Sequence, residues 1–305
     1  MVENVIIIGG GPAGLSAAIY TAREGFNPLV IAGSLPGGQL LNTTIVENIP
    51  GFPEGIEGPE YINRLNQQAT KFGARIINED ARDIDIKNKP FKVMTSSNTY
   101  EAKSIIIATG ANPKKLGIPG EDKFTGRGVS TCATCDAAFF KNKNVVVVGG
   151  GDTAMEDADF LTRFANHVTI IHRRDSFRAS KIMQERVFNN KKIDILWNTV
   201  VKEIKGDTKV RSIIIENLKT NETKEMSIDG VFVAIGYAPN TSFLIGKLEL
   251  DEQGYIKVED DVITSIKGVF AAGDVADKFY RQATTAAAAG VKAALRVREY
   301  LRSIE

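Results

Sequence analysis

The chain has 305 residues, which suggests two domains at roughly 150 residues each, and its 38 basic and 37 acidic side chains leave a formal net charge of +1. This near-neutral balance gives no support to a nucleic-acid binder, and no apolar run approaches the roughly 18 residues of a membrane span. We therefore expect neither nucleic acid nor a membrane as a partner. The two cysteines are too few for a disulfide-stapled scaffold or a four-cysteine zinc site, and no metal is expected.

The N-terminal residues predict a strand, a glycine turn, a helix and a second strand. Residues 5–8 are a continuous β-branched run, typical of a parallel strand buried on both faces. The glycine turn at 9–14, a helical pattern at 15–23 and a strand at 28–31 follow. This order is that of a nucleotide-binding βαβ unit.

The same order recurs in mid-chain. A strand is predicted at 145–148, a turn at 149–154, a helix at 155–164 and a strand at 168–171. The distance between the two starts is too long for a solenoid repeat. The sequence therefore predicts two nucleotide-binding domains.

The rest of the chain is rich in strand patterns. Five further strands are predicted, at 104–108, 210–215, 224–228, 231–235 and 261–271. The pair around Thr220 and Asn221 suggests a hairpin, and an alanine-rich helix is expected at 284–301. Candidate linkers near 112–113 and 238–240 would leave the second nucleotide unit as an insertion in the first domain.

The first glycine turn has the spacing of a dinucleotide fingerprint between a strand and a helix. Gly9 permits the tight turn, Gly11 lets a pyrophosphate approach the backbone, and Gly14 lets helix and strand pack closely. The alternative is an ordinary strand–helix turn. The acidic residue that usually binds the ribose is missing, because residues 30–34 at the end of the second strand hold no carboxylate.

The second turn has Gly149 and Gly151, with Ala154 in the third place, which the fingerprint allows. Its second strand is followed by three arginines, Arg173, Arg174 and Arg178. Arginine at this point pairs with a 2′-phosphate, so the turn should prefer NADP to NAD. The alternative for the arginines is a solvated face, and His172 by itself would be structural.

Two nucleotide sites, one of them selective for NADP, imply transfer between two dinucleotides. The other dinucleotide is most simply FAD, because a flavin accepts hydride from nicotinamide and passes electrons on singly or in pairs.

Cys132 and Cys135 lie just before the second nucleotide unit, with a gap of two residues that brings their sulfurs within disulfide reach. A half zinc site and two inert thiols are the alternatives. Zinc would need two more ligands, and His167 and His172, five residues apart near a strand, offer poor geometry. A C-x-x-C beside two redox dinucleotide sites favours a redox-active pair.

Asp136 follows the cysteine pair directly. A carboxyl group there could relay a proton to a departing thiolate. It could equally form a turn or cap a helix, and the sequence does not decide between these roles.

Together these motifs closely resemble the low-molecular-weight thioredoxin reductases, over essentially the whole chain. The segments that carry the resemblance are residues 37–40, 46–51, 108–110, 132–136, 149–154, 172–180, 271–275 and 280–283. That family also lacks the usual ribose acid in its FAD unit.

The resemblance implies an α/β fold with two Rossmann-like dinucleotide-binding domains, the second inserted in the first. Residues 1–112 and 241–305 would form the FAD-binding domain, and residues 113–240 the NADPH-binding domain with the C-x-x-C. It implies FAD contacts by Gly9, Gly11, Pro12, Ala13, Gly14, Gly33, Gly37, Gly38, Gln39, Leu40, Asn48, Thr109, Gly110, Gly273, Asp274, Arg281, Gln282 and Ala283. It implies NADPH contacts by Gly149, Gly151, Asp152, Thr153, Ala154, His172, Arg173, Arg174, Arg178, Ile235 and Gly236.

The implied activity is NADPH-dependent reduction of thioredoxin. A hydride passes from NADPH to FAD, the electrons open the Cys132–Cys135 disulfide, and dithiol–disulfide exchange reduces thioredoxin. Asp136 resembles the family's proposed acid, and the family is a cytoplasmic homodimer. Which cysteine attacks the partner is left open.

Three alternatives remain at this point. A dithiol oxidase that passes electrons to oxygen is disfavoured by the arginine cluster, and a ferredoxin–NADP reductase of the same fold is disfavoured by the C-x-x-C. A non-catalytic, redox-responsive binding protein would not need a complete path from nicotinamide to dithiol.

Overall fold

The computed structural model describes residues 2–34, 36–42 and 45–304. Its helices are α1 (Pro12–Arg23), α2 (Gly58–Lys71), α3 (Glu121–Phe124), α4 (Ala133–Asp136), α5 (Asp152–Leu161), α6 (Lys181–Asn189) and α7 (Ala283–Arg302). Its strands are β1 (Val2–Ile8), β2 (Leu29–Ile31), β3 (Ile45–Val46), β4 (Ile56–Glu57), β5 (Arg75–Ile77), β6 (Ala81–Asp85), β7 (Phe91–Thr95), β8 (Thr99–Ile107), β9 (Ala111–Pro113), β10 (Val129–Ser130), β11 (Asn144–Gly149), β12 (His167–Ile171), β13 (Ile193–Leu196), β14 (Thr199–Gly206), β15 (Val210–Asn217), β16 (Thr223–Ser227), β17 (Gly230–Ala234), β18 (Tyr237–Pro239) and β19 (Val269–Ala271).

The chain forms two compact units. The first consists of Met1–Asn112 and Ala238–Glu305, and the second of Pro113–Tyr237. Strands β9 and β18, where the chain leaves the first unit and returns to it, form a two-stranded sheet of their own. The second unit is therefore an insertion in the first.

The first unit is built on a seven-stranded sheet in the order β5-β2-β1-β8-β7-β6, with β19 also paired to β8. Strand β1 is parallel to β2 and β8, and β19 is parallel to β8. Ile107 of β8 lies opposite both Ile8 of β1 and Ala271 of β19. The three strands therefore end at the same level, and their carboxyl ends form one edge.

Alternate residues of β1 enter different cores, which explains its continuous apolar run. Val5 and Ile7 pack in the cluster that contains helices α1 and α7, whereas Ile6 and Ile8 pack in the cluster that contains β6 and β7. A strand covered on both faces needs apolar side chains at every position.

The second unit has a five-stranded parallel sheet in the order β10-β17-β11-β12-β13, and a three-stranded antiparallel sheet in the order β14-β15-β16. Val145 and Val147 of β11 pack in the cluster that contains helix α5, and Val146 and Val148 pack in the cluster that contains β14 and β15. Both units are Rossmann-like, so the fold class predicted from the sequence is confirmed.

Most predicted elements are confirmed, including the hairpin of β15 and β16 and the long helix α7. The strand predicted at 261–271 is wrong over most of its length, because only Val269–Ala271 is a strand. Asp260 and Asp261 have positive φ angles, and the Thr264 hydroxyl donates a 2.7 Å hydrogen bond to the Val269 carbonyl. The chain therefore folds back on itself there. The β-branched residues form a local turn and do not pair as one long strand.

Within the described part of the chain, no helix combines the length and the apolar character needed to cross a membrane.

Candidate functional site

The first glycine turn is tight, closely packed and open on one side. Gly9 has a φ of +122°, and a Cβ built on it would lie 2.1 Å from the Ala108 carbonyl oxygen. A Cβ on Gly14 would lie 1.9 Å from the Gly9 carbonyl oxygen, so helix and strand meet with no room for a side chain. A Cβ on Gly11 would meet nothing within 4 Å, so the backbone there is open to a ligand.

Two helices begin at this edge of the first sheet. A Cβ on Gly273, just after β19, would lie 2.9 Å from the Ala13 Cβ and 3.4 Å from the Ala286 Cβ. The first turns of α1 and α7 therefore converge there. Neither turn contains an acidic residue, so the positive ends of both helix dipoles are available to an anion.

Asp274 adds a half-buried carboxyl group to the same edge. Burial raises the pKa of Asp274 to about 6, the neighbouring Asp277 adds to the increase, and Arg281 opposes it. The ionised form of Asp274 is therefore solvated less fully than a surface carboxylate. Hydroxyl groups that donate hydrogen bonds to it would stabilise this form.

Several other predicted FAD residues are brought together by hydrogen bonds. The Asn48 side chain donates to Gln282 at 3.1 Å, and Gln39 donates to Asn112 at 2.8 Å. Thr109 and Asn240 exchange two bonds of 2.9 Å, one from each side chain to the other's carbonyl oxygen. The sequence does not predict Asn112 and Asn240 as site residues, because amides in a linker have no characteristic motif.

The remaining predicted FAD residues lie on turns beside this edge. Positive φ angles occur at Gly33, Gly37, Gly38, Gly110 and Arg281. Pro12 and Ala283 are the first residues of α1 and α7, and Leu40 is half-buried in a short 3-10 turn. Leu35, which lies between the predicted contacts Gly33 and Gly37, is outside the described residues.

The second glycine turn has the same design. A Cβ on Gly149 would lie 2.4 Å from the Ala234 carbonyl oxygen and 2.7 Å from the Ala154 Cβ, whereas a Cβ on Gly151 would meet nothing within 4 Å. Asp152, Thr153 and Ala154 form the first turn of α5. The turn again packs tightly against the sheet at Gly149 and leaves space for a ligand at Gly151.

The loop after β12 carries the three arginines with their side chains exposed. Ile235 and Gly236 follow β17 at the same edge of the sheet, and the Ile235 side chain is exposed. His172 is different, because it is buried and both of its ring nitrogens face carbonyl oxygens. Nδ1 lies 2.9 Å from the Gly149 oxygen, and Nε2 lies 3.0 Å from the Ser176 oxygen.

Burial lowers the pKa of His172, although its two backbone hydrogen bonds oppose this, and the charges of Arg174 and Arg178 lower it further. Both ring nitrogens lie within hydrogen-bond distance of backbone carbonyl oxygens, so the ring is occupied by contacts within the protein. His172 thus joins the glycine turn to the arginine loop, and its contact with NADPH stays a prediction.

Cys132 and Cys135 form a disulfide across the short helix α4, with their Cα atoms 5.3 Å apart. The pair directly follows β10, whose neighbour β17 leads to Ile235, so it lies at the same sheet edge as the arginine loop. Cys132 is half-buried and Cys135 is exposed. The inert-thiol alternative is wrong, since neither sulfur is free.

Two further residues hold this turn, and no sequence motif marks either of them. The Cys132 N–H donates to the Ser130 hydroxyl at 3.1 Å, and the Tyr237 hydroxyl donates to the Thr131 carbonyl oxygen at 2.8 Å. The Thr134 hydroxyl lies 3.3 Å from the Cys132 sulfur. The described residues contain no cluster of three or more histidine, cysteine or acidic side chains placed to hold a metal.

Asp136 is half-buried at the end of α4 and makes no helix-capping hydrogen bond. Burial raises its pKa, and a hydrogen bond from Ser130 opposes the increase. Asp136 thus keeps its proton to a higher pH than an ordinary aspartic acid, one residue away from Cys135. The capping alternative is not what the structure shows.

Comparison with known proteins gives a consistent result. The family model described as pyridine nucleotide-disulphide oxidoreductase matches residues 3–290. The chain is 52% identical to a thioredoxin reductase of Rickettsia conorii over 98% of both chains. It is 51% identical to one of Streptomyces clavuligerus, over 99% of this chain and 95% of the relative.

Solved structures agree. The chain is similar to the crystal structure of a thioredoxin reductase from Streptococcus pyogenes, with a TM-score of 0.94 and 44% identity over 99% of both chains. It is similarly close to a thioredoxin reductase from Giardia duodenalis, with a TM-score of 0.94 and 43% identity over 99% of this chain and all of that one.

Proposed function

The chain belongs to the thioredoxin reductases of the pyridine nucleotide-disulphide oxidoreductase family, and from this premise we propose that it reduces the disulfide of thioredoxin at the expense of NADPH. One observation carries the proposal beyond the resemblance. A Cys132–Cys135 disulfide and an arginine-bearing nucleotide turn lie on the same edge of one parallel sheet. This arrangement supports the proposal that one sheet edge carries both a reducible centre and a site for a phosphorylated dinucleotide.

The first unit fits FAD. The open backbone at Gly11 and the acid-free first turns of α1 and α7 suit a pyrophosphate, which needs N–H donors and positive charge. Asp274 suits the sugar hydroxyls of FAD, because a carboxylate that burial has partly removed from water is a strong hydrogen-bond acceptor.

The second unit fits NADPH. Gly151 leaves space for the pyrophosphate, and three exposed arginines follow β12, where a 2′-phosphate would lie. Guanidinium groups bind a phosphate through paired, charge-assisted hydrogen bonds. When bound, NADPH supplies the hydride and FAD relays its two electrons to the disulfide.

The cysteines then act on the partner. Two electrons and two protons convert Cys132–Cys135 to a dithiol. One thiolate attacks the disulfide of thioredoxin, which breaks that bond, forms a mixed disulfide and releases one partner thiolate. The second cysteine attacks the mixed disulfide, which restores Cys132–Cys135 and releases reduced thioredoxin. Asp136 holds a proton for the departing thiolate.

The resemblance also supports a cytoplasmic homodimer. Light scattering during gel filtration checks the oligomeric state, and a mass of about one chain would contradict the dimer.

The proposed function is tested by an absorbance spectrum and an anaerobic titration with NADPH. The purified protein is expected to show the absorbance of oxidised flavin, and NADPH is expected to bleach it. A colourless protein, or a flavin that NADPH does not reduce, would overturn the proposal. The second result would favour a dithiol oxidase.

A further inference from the structure

The arginine loop, residues 172–180, carries all three arginines of the proposed 2′-phosphate site. The side chains of Arg173, Arg174 and Arg178 are exposed. The loop also carries Asp175, which pairs with Lys219 outside the loop at 3.4 Å. The three arginines repel each other, and this repulsion favours an open, variable loop over a single arrangement. A loop that binds one phosphate with all three must therefore be held by other contacts.

Three attachments join this loop to the second glycine turn. His172 Nδ1 meets the Gly149 carbonyl oxygen at 2.9 Å, and the Arg178 N–H donates to the Gly150 carbonyl oxygen at 2.8 Å. The Asp152 carboxylate accepts two hydrogen bonds of 2.8 Å from Ser180, one from its N–H and one from its hydroxyl. The loop is thus attached at its first residue and at two of its last three residues.

A buried aromatic contact fixes the loop between these attachments. Phe177 is buried, and its ring centroid lies 4.3 Å from that of Trp197 and 5.4 Å from that of His172. Arg174 and Arg178 flank this anchor on either side. The anchor keeps the exposed guanidinium groups on the outer side of the loop.

The packing of His172 also accounts for Gly150, which the dinucleotide fingerprint does not require. A Cβ on Gly150 would lie 2.1 Å from Cε1 and 2.2 Å from Nδ1 of His172. The middle glycine is therefore needed because the imidazole covers the backbone of the turn. Loop and turn are built as one piece.

We propose that His172, Asp152 and Ser180 are positioning residues that set the preference for a 2′-phosphate, by fixing the arginine loop at a constant distance from the glycine turn. The inference rests on the proposed NADPH site. In a dinucleotide the pyrophosphate and the 2′-phosphate are covalently linked, so the arginines contribute only if loop and turn keep the matching separation. Loosening the loop weakens binding of NADP⁺ and leaves binding of NAD⁺ nearly unchanged.

Calorimetric binding of NADP⁺ and NAD⁺ to the oxidised, FAD-loaded protein tests this without turnover. Asp152→Ala is expected to raise the Kd for NADP⁺ about tenfold and the Kd for NAD⁺ less than about twofold. Ser180→Ala removes one of the two bonds and should raise the Kd for NADP⁺ about threefold. Asp152→Asn keeps an acceptor oxygen, so it should stay within about threefold of the wild type.

His167→Gln is the matched control, because His167 lies at the opposite end of β12 and contacts Asp194 at 3.0 Å. It should leave both Kd values unchanged. Asp152 and Ser180 are exposed, so their variants are expected to fold, and a thermal melt of each variant checks this.

Two results overturn the inference. In one, Asp152→Ala and Ser180→Ala keep the wild-type ratio of the two Kd values. In the other, both Kd values rise by the same factor, which would make Asp152 a contact for the shared part of the nucleotides. A wild-type protein that does not prefer NADP⁺ would be a different failure, because it would overturn the NADPH assignment itself.

Discussion

At the scale of single residues, two half-buried carboxyl groups are placed for different tasks. Asp136 adjoins the disulfide and Asp274 lies at the edge where α1 and α7 begin. Burial is the first cause of the raised pKa in both. The raised pKa of each group predicts the direction in which one measurable property changes with pH.

Asp136→Asn should slow thioredoxin reduction about 100-fold, because an amide cannot replace a general acid. The acid form of Asp136 exists below its raised pKa, so the wild-type rate is expected to fall as the pH rises through that value. The pH profile of kcat/KM for thioredoxin measures this. A variant that keeps the descending limb would show that another group supplies the proton, and unchanged FAD content serves as the control.

Asp274 should make FAD retention depend on pH. With a pKa of about 6 it is ionised above that pH and protonated below it. If the carboxylate accepts hydrogen bonds from FAD hydroxyls, FAD is held less firmly as the pH falls through about 6.

Asp274→Asn cannot titrate, so it is expected to hold FAD about tenfold more weakly at neutral pH and to lose that pH step. Fluorescence of FAD released on dialysis across a pH series measures both effects. The same step in wild type and variant would contradict the role of Asp274.

At the scale of elements, two glycines of the first unit have different roles: one leaves space for a ligand, and the other lets two helices pack closely. Gly11 has an ordinary φ of −83° and open space where a Cβ would point. A Cβ on Gly290 in α7 would lie 2.0 Å from the Ala13 carbonyl oxygen, so α7 can approach α1 only at a glycine.

Gly11→Ala should therefore fold with nearly the wild-type melting temperature of the FAD-free protein but lose most of its FAD. Gly290→Ala should destabilise the protein by about 1–3 kcal/mol, because two packed helices are forced apart. Thermal melts of the FAD-free proteins and the flavin content of the purified proteins measure the pair. Equal loss of stability in both variants would contradict the assignment of Gly11 to ligand space.

The elements show what the sequence can and cannot predict. The buried runs 5–8 and 145–148 revealed their strands because both faces are covered, and the spacing of the glycines and arginines revealed two nucleotide turns. The prediction of a strand at 261–271 was wrong because the β-branched residues of that segment lie in a turn in which the chain reverses direction.

The sequence does not predict Ser130, Tyr237 or Asn240 as site residues, because their roles depend on contacts that no motif describes. Tyr237 meets Thr131 and Asn240 meets Thr109, and each contact joins residues far apart in the chain. Ser130 acts through a local turn that has no characteristic spacing. The sequence predicts motifs with fixed spacing, whereas these contacts arise only from the fold.

At the scale of the whole molecule, the two units divide the proposed work. The first holds the candidate FAD residues, and the second holds both the candidate NADPH residues and the disulfide. The near-zero net charge of the chain conceals this division, because the arginines of the nucleotide loop are balanced by acidic residues elsewhere. The proposed activity depends on one electron path that ends at Cys132 and Cys135.

The most direct test of that path is the rate of NADPH-dependent thioredoxin reduction by the wild type, Cys132→Ser and Cys135→Ser, each loaded with FAD. NADPH should still bleach the flavin of both variants, because neither substitution touches the proposed nucleotide residues, while thioredoxin reduction should fall to background. Full thioredoxin reduction by either serine variant would contradict the account.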